Sequence, residues 1–304
     1  MHVAQLHTKP LLLLRLTMAL AFISCLWRNS VRTGAMREVV AAHRSLLTPA
    51  KTAFSIWGLI YLTLFLFVSR ECIFPSLSLL PAHAKRVYGL FIASCVFNML
   101  WLEVFASGAI VWSLPVILVL WAITGALYLT TASLVQLPTL FDGLAIWPRR
   151  TAYECSSLSD YICLRLPFTL YFSWTCGATL INVTVSLRGL GYDLNLAVYM
   201  VCLAVLLAAH VTALAYNGDI AFGAVGIWTL AWLAAKHETG LSPVDADYLD
   251  VIQLVAHIGA WLLVALIAGL VLLRCYVRRY GAPEHAHMDA SGGKNANISM
   301  YGTL

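Results

Sequence analysis

Eight stretches of this chain are too apolar to lie in water as surface elements: 11–27, 53–69, 87–106, 109–135, 166–187, 194–216, 219–235 and 253–274. A helix needs about 20 predominantly apolar residues to cross the ~30 Å hydrocarbon core of a bilayer. All eight windows meet or approach that length, with 11–27 and 219–235 the marginal ones. Only 11% of the residues are charged and 61% are hydrophobic, whereas about a quarter of a soluble domain is charged. The expectation is an all-α, multi-pass integral membrane protein with the lipid bilayer as its main partner. A net charge of +5, spread over this length, is too mild for a nucleic-acid footprint. Eight cysteines without a C-x-x-C pair support neither structural zinc nor a disulfide framework.

The connections differ in kind. Window 11–27 reads either as a retained helix, with Arg15 snorkelling to the headgroups, or as a cleaved signal segment. Segment 28–52 carries Arg28, Arg32, Arg37, Arg44 and Lys51 and reads as a loop. Ser107-Gly108 predicts a tight hairpin between the third and fourth helices, and Pro115 a kink in the fourth. Segment 136–165 is long and mixed, segment 236–252 is acidic, and the polar tail from 277 reads as disordered. With eight spans, eleven Lys and Arg lie on the side of both termini against seven opposite, which predicts cytoplasmic termini.

Ten Trp and thirteen Tyr exceed what an interfacial belt requires. Trp27, Trp112 and Trp147 fit that belt near span ends. Others lie deeper and at helical spacing. Phe54, Trp57 and Tyr61 share one face of the second helix, Asn98, Trp101 and Phe105 one face of the third, and Tyr171, Trp174, Ala178 and Asn182 one face of the fifth. An Asn in hydrocarbon is unfavourable without a partner, so Asn98 and Asn182 should turn inward with their aromatic neighbours. Such stripes either line a pocket or pack as core, with the amides joining helices.

These stretches resemble the TspO/MBR family of tryptophan-rich sensory and translocator proteins. The likeness rests on Thr48-Pro49 followed by Phe54-Ser55-Ile56-Trp57-Gly58-Leu59-Ile60-Tyr61, on Asn98-Met99-Leu100-Trp101 leading to Phe105, and on Pro167, Tyr171, Trp174, Ala178-Thr179 and Asn182. It implies a five-helix bundle over 1–190, with three further helices over 191–276 and the tail at 277–304. It also implies a cavity for porphyrins, sterols or similar molecules, lidded by the loop between the first two helices. The implied contacts are Ile56, Trp57, Asn98, Trp101, Tyr171, Trp174, Ala178, Ile181 and Asn182, with Tyr61 and Phe105 on the same stripes. Haem or porphyrin is then expected as ligand rather than as fixed cofactor, and homodimerisation stays open.

Four ionisable residues fall in or at the edge of spans. Intramembrane ionisable groups are functional candidates by default. His210 and His257 could carry protons or ligate haem iron, or be hydrogen-bonded to neighbours. Glu103 and Asp219, near span ends, could couple protons or simply be solvated. No H-E-x-x-H, G-x-S-x-G or Walker sequence occurs, so nothing points to a hydrolase or NTPase. The alternatives to a ligand-binding bundle are a proton-coupled transporter, a haem-dependent membrane enzyme and a scaffold without a cavity.

Overall fold

A computed structural model describes residues 2–78, 80, 82–135 and 158–280. Among them the chain forms eight helices: α1 (His2–Ala42), α2 (Ile56–Ile73), α3 (Ala84–Ala106), α4 (Ile110–Leu134), α5 (Leu158–Gly189), α6 (Leu196–Asn217), α7 (Ile220–Ala234) and α8 (Pro243–Tyr280). Seven are long and apolar enough to cross a membrane. The eighth, α7, has 15 residues and spans only ~22 Å at 1.5 Å per residue. The protein is an integral, multi-pass membrane protein.

Local chemistry sets the helix ends. Gly108, at φ 79°, turns α3 into α4. Asn195 caps α6 by accepting from the Val198 N–H, and Asp219 caps α7 by accepting from the Phe222 N–H, both at 3.2 Å. Gly218, at φ 58°, ends α6 in the left-handed conformation that glycine adopts without strain.

Helix α5 runs through the middle. It is the least hydropathic of the seven spans and the most buried. Its small polar residues, among them Thr169, Ser173, Thr175, Asn182 and Thr184, face protein instead of lipid. It contributes to two cores, one shared with α1–α4 and the other with α6–α8. Gly177 faces α7, where an added Cβ would meet Thr229 at an ordinary contact distance of 3.5 Å.

Several expectations are corrected. Residues 28–42 are not a loop but the last turns of α1. Arg28 and Arg32 stand one turn apart and both reach Glu103 on α3, so these charges mark a helix face. The Arg15 guanidinium lies 5.8 Å from the Tyr88 ring centroid in the first turns of α3. Helix α5 begins before Pro167, with Tyr161–Arg165 in a π turn. The regular α-helix resumes at Leu166, so Pro167, which has no N–H to offer, stands in its first turn. Helix α8 continues through 277–280; tail residues 281–304, Trp147 and most of segment 136–165 lie outside the described residues. Trp27 and Trp112 face outward as belt residues would.

The bundle has two distinguishable ends. One carries the α1–α2 linker (residues 43–55) together with the α3–α4 turn and the α7–α8 loop. The far end carries the starts of α5 and α7 and the end of α2.

Candidate functional site

A hollow lies at the linker end. Trp57 on α2, Asn98, Trp101 and Phe105 on α3, and Trp174, Ala178, Ile181 and Asn182 on α5 all line it. These residues are far apart in sequence and are brought together because each stripe is the inward face of its helix. Three expected contacts stand behind the wall instead. Tyr61 stacks on Trp57 with centroids 5.3 Å apart, Tyr171 meets Trp57 edge-on at 6.0 Å, and Ile56 is core.

Sequence reasoning missed other parts of the lining. Met36 and Val40 come from the unforeseen extension of α1, and His43 and Thr48 from the linker. Ile117 and Leu120 come from α4, and Thr175 and Val185 from α5. Phe54 forms an exposed rim and meets Trp174 edge-on at 5.7 Å. Only the continuing 3.6-residue period of Met36, Val39 and Val40 hints at the α1 contribution.

The wall is apolar, and its amides are already engaged. Asn98 Oδ1 accepts from Asn29 Nδ2 at 2.9 Å and from the Cys25 thiol at 3.3 Å. The Asn182 amide N–H donates to Ser113 Oγ at 3.0 Å, and its carbonyl lies 3.2 Å from the same oxygen. Both amides therefore join helices. The indole N–H groups of Trp101 and Trp174, by contrast, are buried without an acceptor.

The volume inside is about 60 Å³. An apolar cavity of roughly 150 Å³ admits benzene, and drug-sized ligands occupy about 300–1,000 Å³. The hollow as it stands is closed down.

The linker covers it and is tied to the C-terminal helices. Ser45, Leu46 and Leu47 are buried, and Ser45 Oγ lies 2.7 Å from Thr184 Oγ1 on α5. Lys236 Nζ donates to the Ser45 carbonyl, and the Ala50 N–H to the Trp232 carbonyl, both at 3.0 Å. Trp228 Nε1 donates to the Ala53 carbonyl at 2.9 Å. Lys236 sits in the loop after α7, where burial pushes its ammonium below the usual lysine range against the opposing pull of Glu238.

A family profile for TSPO-like proteins matches residues 11–269. The chain belongs to the TSPO-like protein family. The match runs through α6, α7 and most of α8, so the C-terminal helices are part of what this TSPO-like chain shares with its family. No curated protein and no solved structure matches it.

The four ionisable candidates do not meet in the pocket of this TSPO-like protein. Glu103 is held by Arg28 at 2.8 Å and by Arg32. Asp219 is not solvated but fully buried at the far end. There Arg165 meets it at 3.0 Å and Thr169 Oγ1 donates to it at 3.1 Å. His210 is buried mid-bundle, with Nδ1 2.7 Å from the Leu206 carbonyl and Nε2 3.0 Å from Ser173 Oγ. Its ring lies against Gly226, where an added Cβ would be 2.3 Å from the ring carbon. Both ring nitrogens are thus engaged with protein groups, and neither is presented to a haem iron. His257 faces outward on α8 and accepts from Trp261 Nε1 at 3.1 Å.

Proposed function

We propose that this protein binds a planar hydrophobic molecule, tetrapyrrole or sterol-like, in the aromatic hollow beneath the α1–α2 linker, for sensing, sequestration or translocation. One observation carries the reading. Inward stripes from α1 to α5 converge on one apolar hollow, with Trp57, Trp101 and Trp174 all in its wall. Flat indole faces suit a flat ligand, because each offers a large rigid apolar surface. The closed volume requires the hollow to widen on binding. The linker residues His43, Thr48 and Phe54 are the part of the wall whose displacement does this without parting the transmembrane helices. Asn98, Asn182 and Tyr171 act as supports rather than ligand partners, since Asn98 and Asn182 are engaged with protein groups and Tyr171 stands behind Trp57.

The test is quenching of tryptophan fluorescence by protoporphyrin IX in lipid nanodiscs. The wild-type protein should show saturable quenching. Ala178→Phe, which fills the hollow with a ring, should weaken it on the order of tenfold or more while the thermal midpoint stays in place. Equal affinity in the variant would remove the pocket from the account.

A further inference from the structure

Hydrogen-bond accounting narrows the ligand class, on the footing that the hollow is a binding site. A buried donor without a partner costs free energy, and native proteins keep few of them. Two belong to side chains that line this one hollow: the indole N–H groups of Trp101 and Trp174. Trp174 is 1% exposed, so bulk water does not reach its N–H. An indole N–H donates and never accepts. The groups that could have received these hydrogens are turned elsewhere, with Asn98 Oδ1 already accepting twice from α1.

Charge is the second constraint. Among the lining residues His43 is the only titratable group, and no Lys or Arg is present. Arg28 and Arg32, at the α1–α3 junction, are both committed to Glu103. An anionic group brought deep into this wall would lose its hydration without gaining a counter-charge, which is strongly unfavourable. A hydroxyl would satisfy an indole donor but bring a hydrogen of its own into a wall whose amide oxygens are engaged.

We propose that the ligand this pocket is built for is a neutral, flat hydrophobe whose buried end carries an acceptor and no donor, a ketone or quinone-type carbonyl, received by the indole N–H groups of Trp101 and Trp174. Rings stack on the indole faces while the carbonyl meets the indole edges. Any charged part of a larger ligand stays at the Phe54 rim.

Three tricyclic probes of one shape isolate the claim: 9-fluorenone (acceptor only), fluorene (neither donor nor acceptor) and 9-fluorenol (donor and acceptor). Equilibrium dialysis against the full chain in nanodiscs should give fluorenone an affinity about three- to tenfold above that of fluorene, with fluorenol below fluorenone. The carbonyl stretch of bound fluorenone should move to lower wavenumber than in alkane solvent. In Trp174→Phe and in Trp101→Phe the fluorenone-to-fluorene affinity ratio should fall towards one. The stretch is measured on the wild-type protein, so the outcome does not depend on either variant folding. Fluorene or fluorenol binding as tightly as fluorenone, or an unshifted stretch, overturns the acceptor class and leaves the pocket standing. A shifted stretch with the ratio unchanged in both variants overturns the assignment to these two indoles. If none of the three probes binds, the pocket itself is lost.

Discussion

The two ends of the bundle solve the problem of burying polarity in opposite ways. At the far end, charge is brought inside and matched. Arg165 with Asp219 and Arg70 with Asp160 pair on the opening turns of α5, and Tyr88 donates to buried Glu71 beside them. At the linker end, the lining carries no fixed charge and keeps two indole donors in reserve. The far end is stitched shut by interactions that lose most of their value when one partner is removed, while the linker end is closed by a strap of hydrogen bonds to backbone carbonyls, only one of them from a charged donor, Lys236, the neutral ones worth about 1 kcal/mol each. Under the proposed function, a bundle of this form acts as a cup, with access by way of the linker and a sealed floor.

The largest effect should come from breaking the floor. Asp219→Leu leaves the Arg165 guanidinium buried without its counter-charge and also removes the N-cap of α7, which should cost about 3–5 kcal/mol. Unfolding titrations in detergent micelles read this directly. The double variant Arg165→Met, Asp219→Leu should recover the part of the loss that comes from an unpaired buried charge, while the lost N-cap of α7 and the carbonyls of Val135 and Asn217 that Arg165 serves keep it below the wild type. A single variant as stable as the wild type would show the floor to be ordinary packing and dissolve the contrast between the ends.

The sequence made one end far more legible than the other. Trp101 and Trp174 could be turned inward because each shares a helical face with an amide whose burial is physically forced, Asn98 and Asn182, while Trp57 joined them through its aromatic stripe and the family resemblance. Their direction followed from the cost of an amide in hydrocarbon. The far end could not be read this way. Asp219 stands at the edge of its window, where a carboxylate is normally solvated, and its partner Arg165 is 54 positions away in a segment that reads as a loop. The α1 extension was hidden for the same reason. Arg28 and Arg32 look like loop charges until Glu103, 71 residues beyond Arg32, is placed beside them. Periodicity reveals which face turns inward, whereas charge pairing between distant segments depends on topology. The unclaimed indole N–H groups needed the whole structure, since a missing acceptor is a property of every neighbour at once.

A smaller effect should follow from loosening the strap. Trp228→Phe keeps an aromatic ring on α7 but withdraws the hydrogen bond to the Ala53 carbonyl just before α2. Global stability should fall by about 1 kcal/mol. In stopped-flow mixing, protoporphyrin quenching should rise faster than in the wild type, because the linker leaves its closed position more often. An unchanged association rate with an unchanged midpoint would detach the C-terminal helices from control of the cup and make the two ends independent.

The smallest effect is electrostatic and belongs to the same strap. Burial holds the Lys236 ammonium below its ordinary range, outweighing the attraction of Glu238. The unfolded chain, with an ordinary lysine, therefore binds the proton more tightly than the folded one. Stability must rise with pH wherever the unfolded state holds more protons. The window runs from the lowered folded value up to the ordinary lysine value near 10.5, and the gain is complete above it. Lys236→Met removes this titration, so the difference between wild-type and variant thermal midpoints, followed from pH 7 to about 10.5, cancels every other group. That difference should shift in favour of the wild type as pH rises. A shift in the opposite direction would mean that the Lys236–Glu238 pair outweighs the cost of burial, making the linker end resemble the far end energetically.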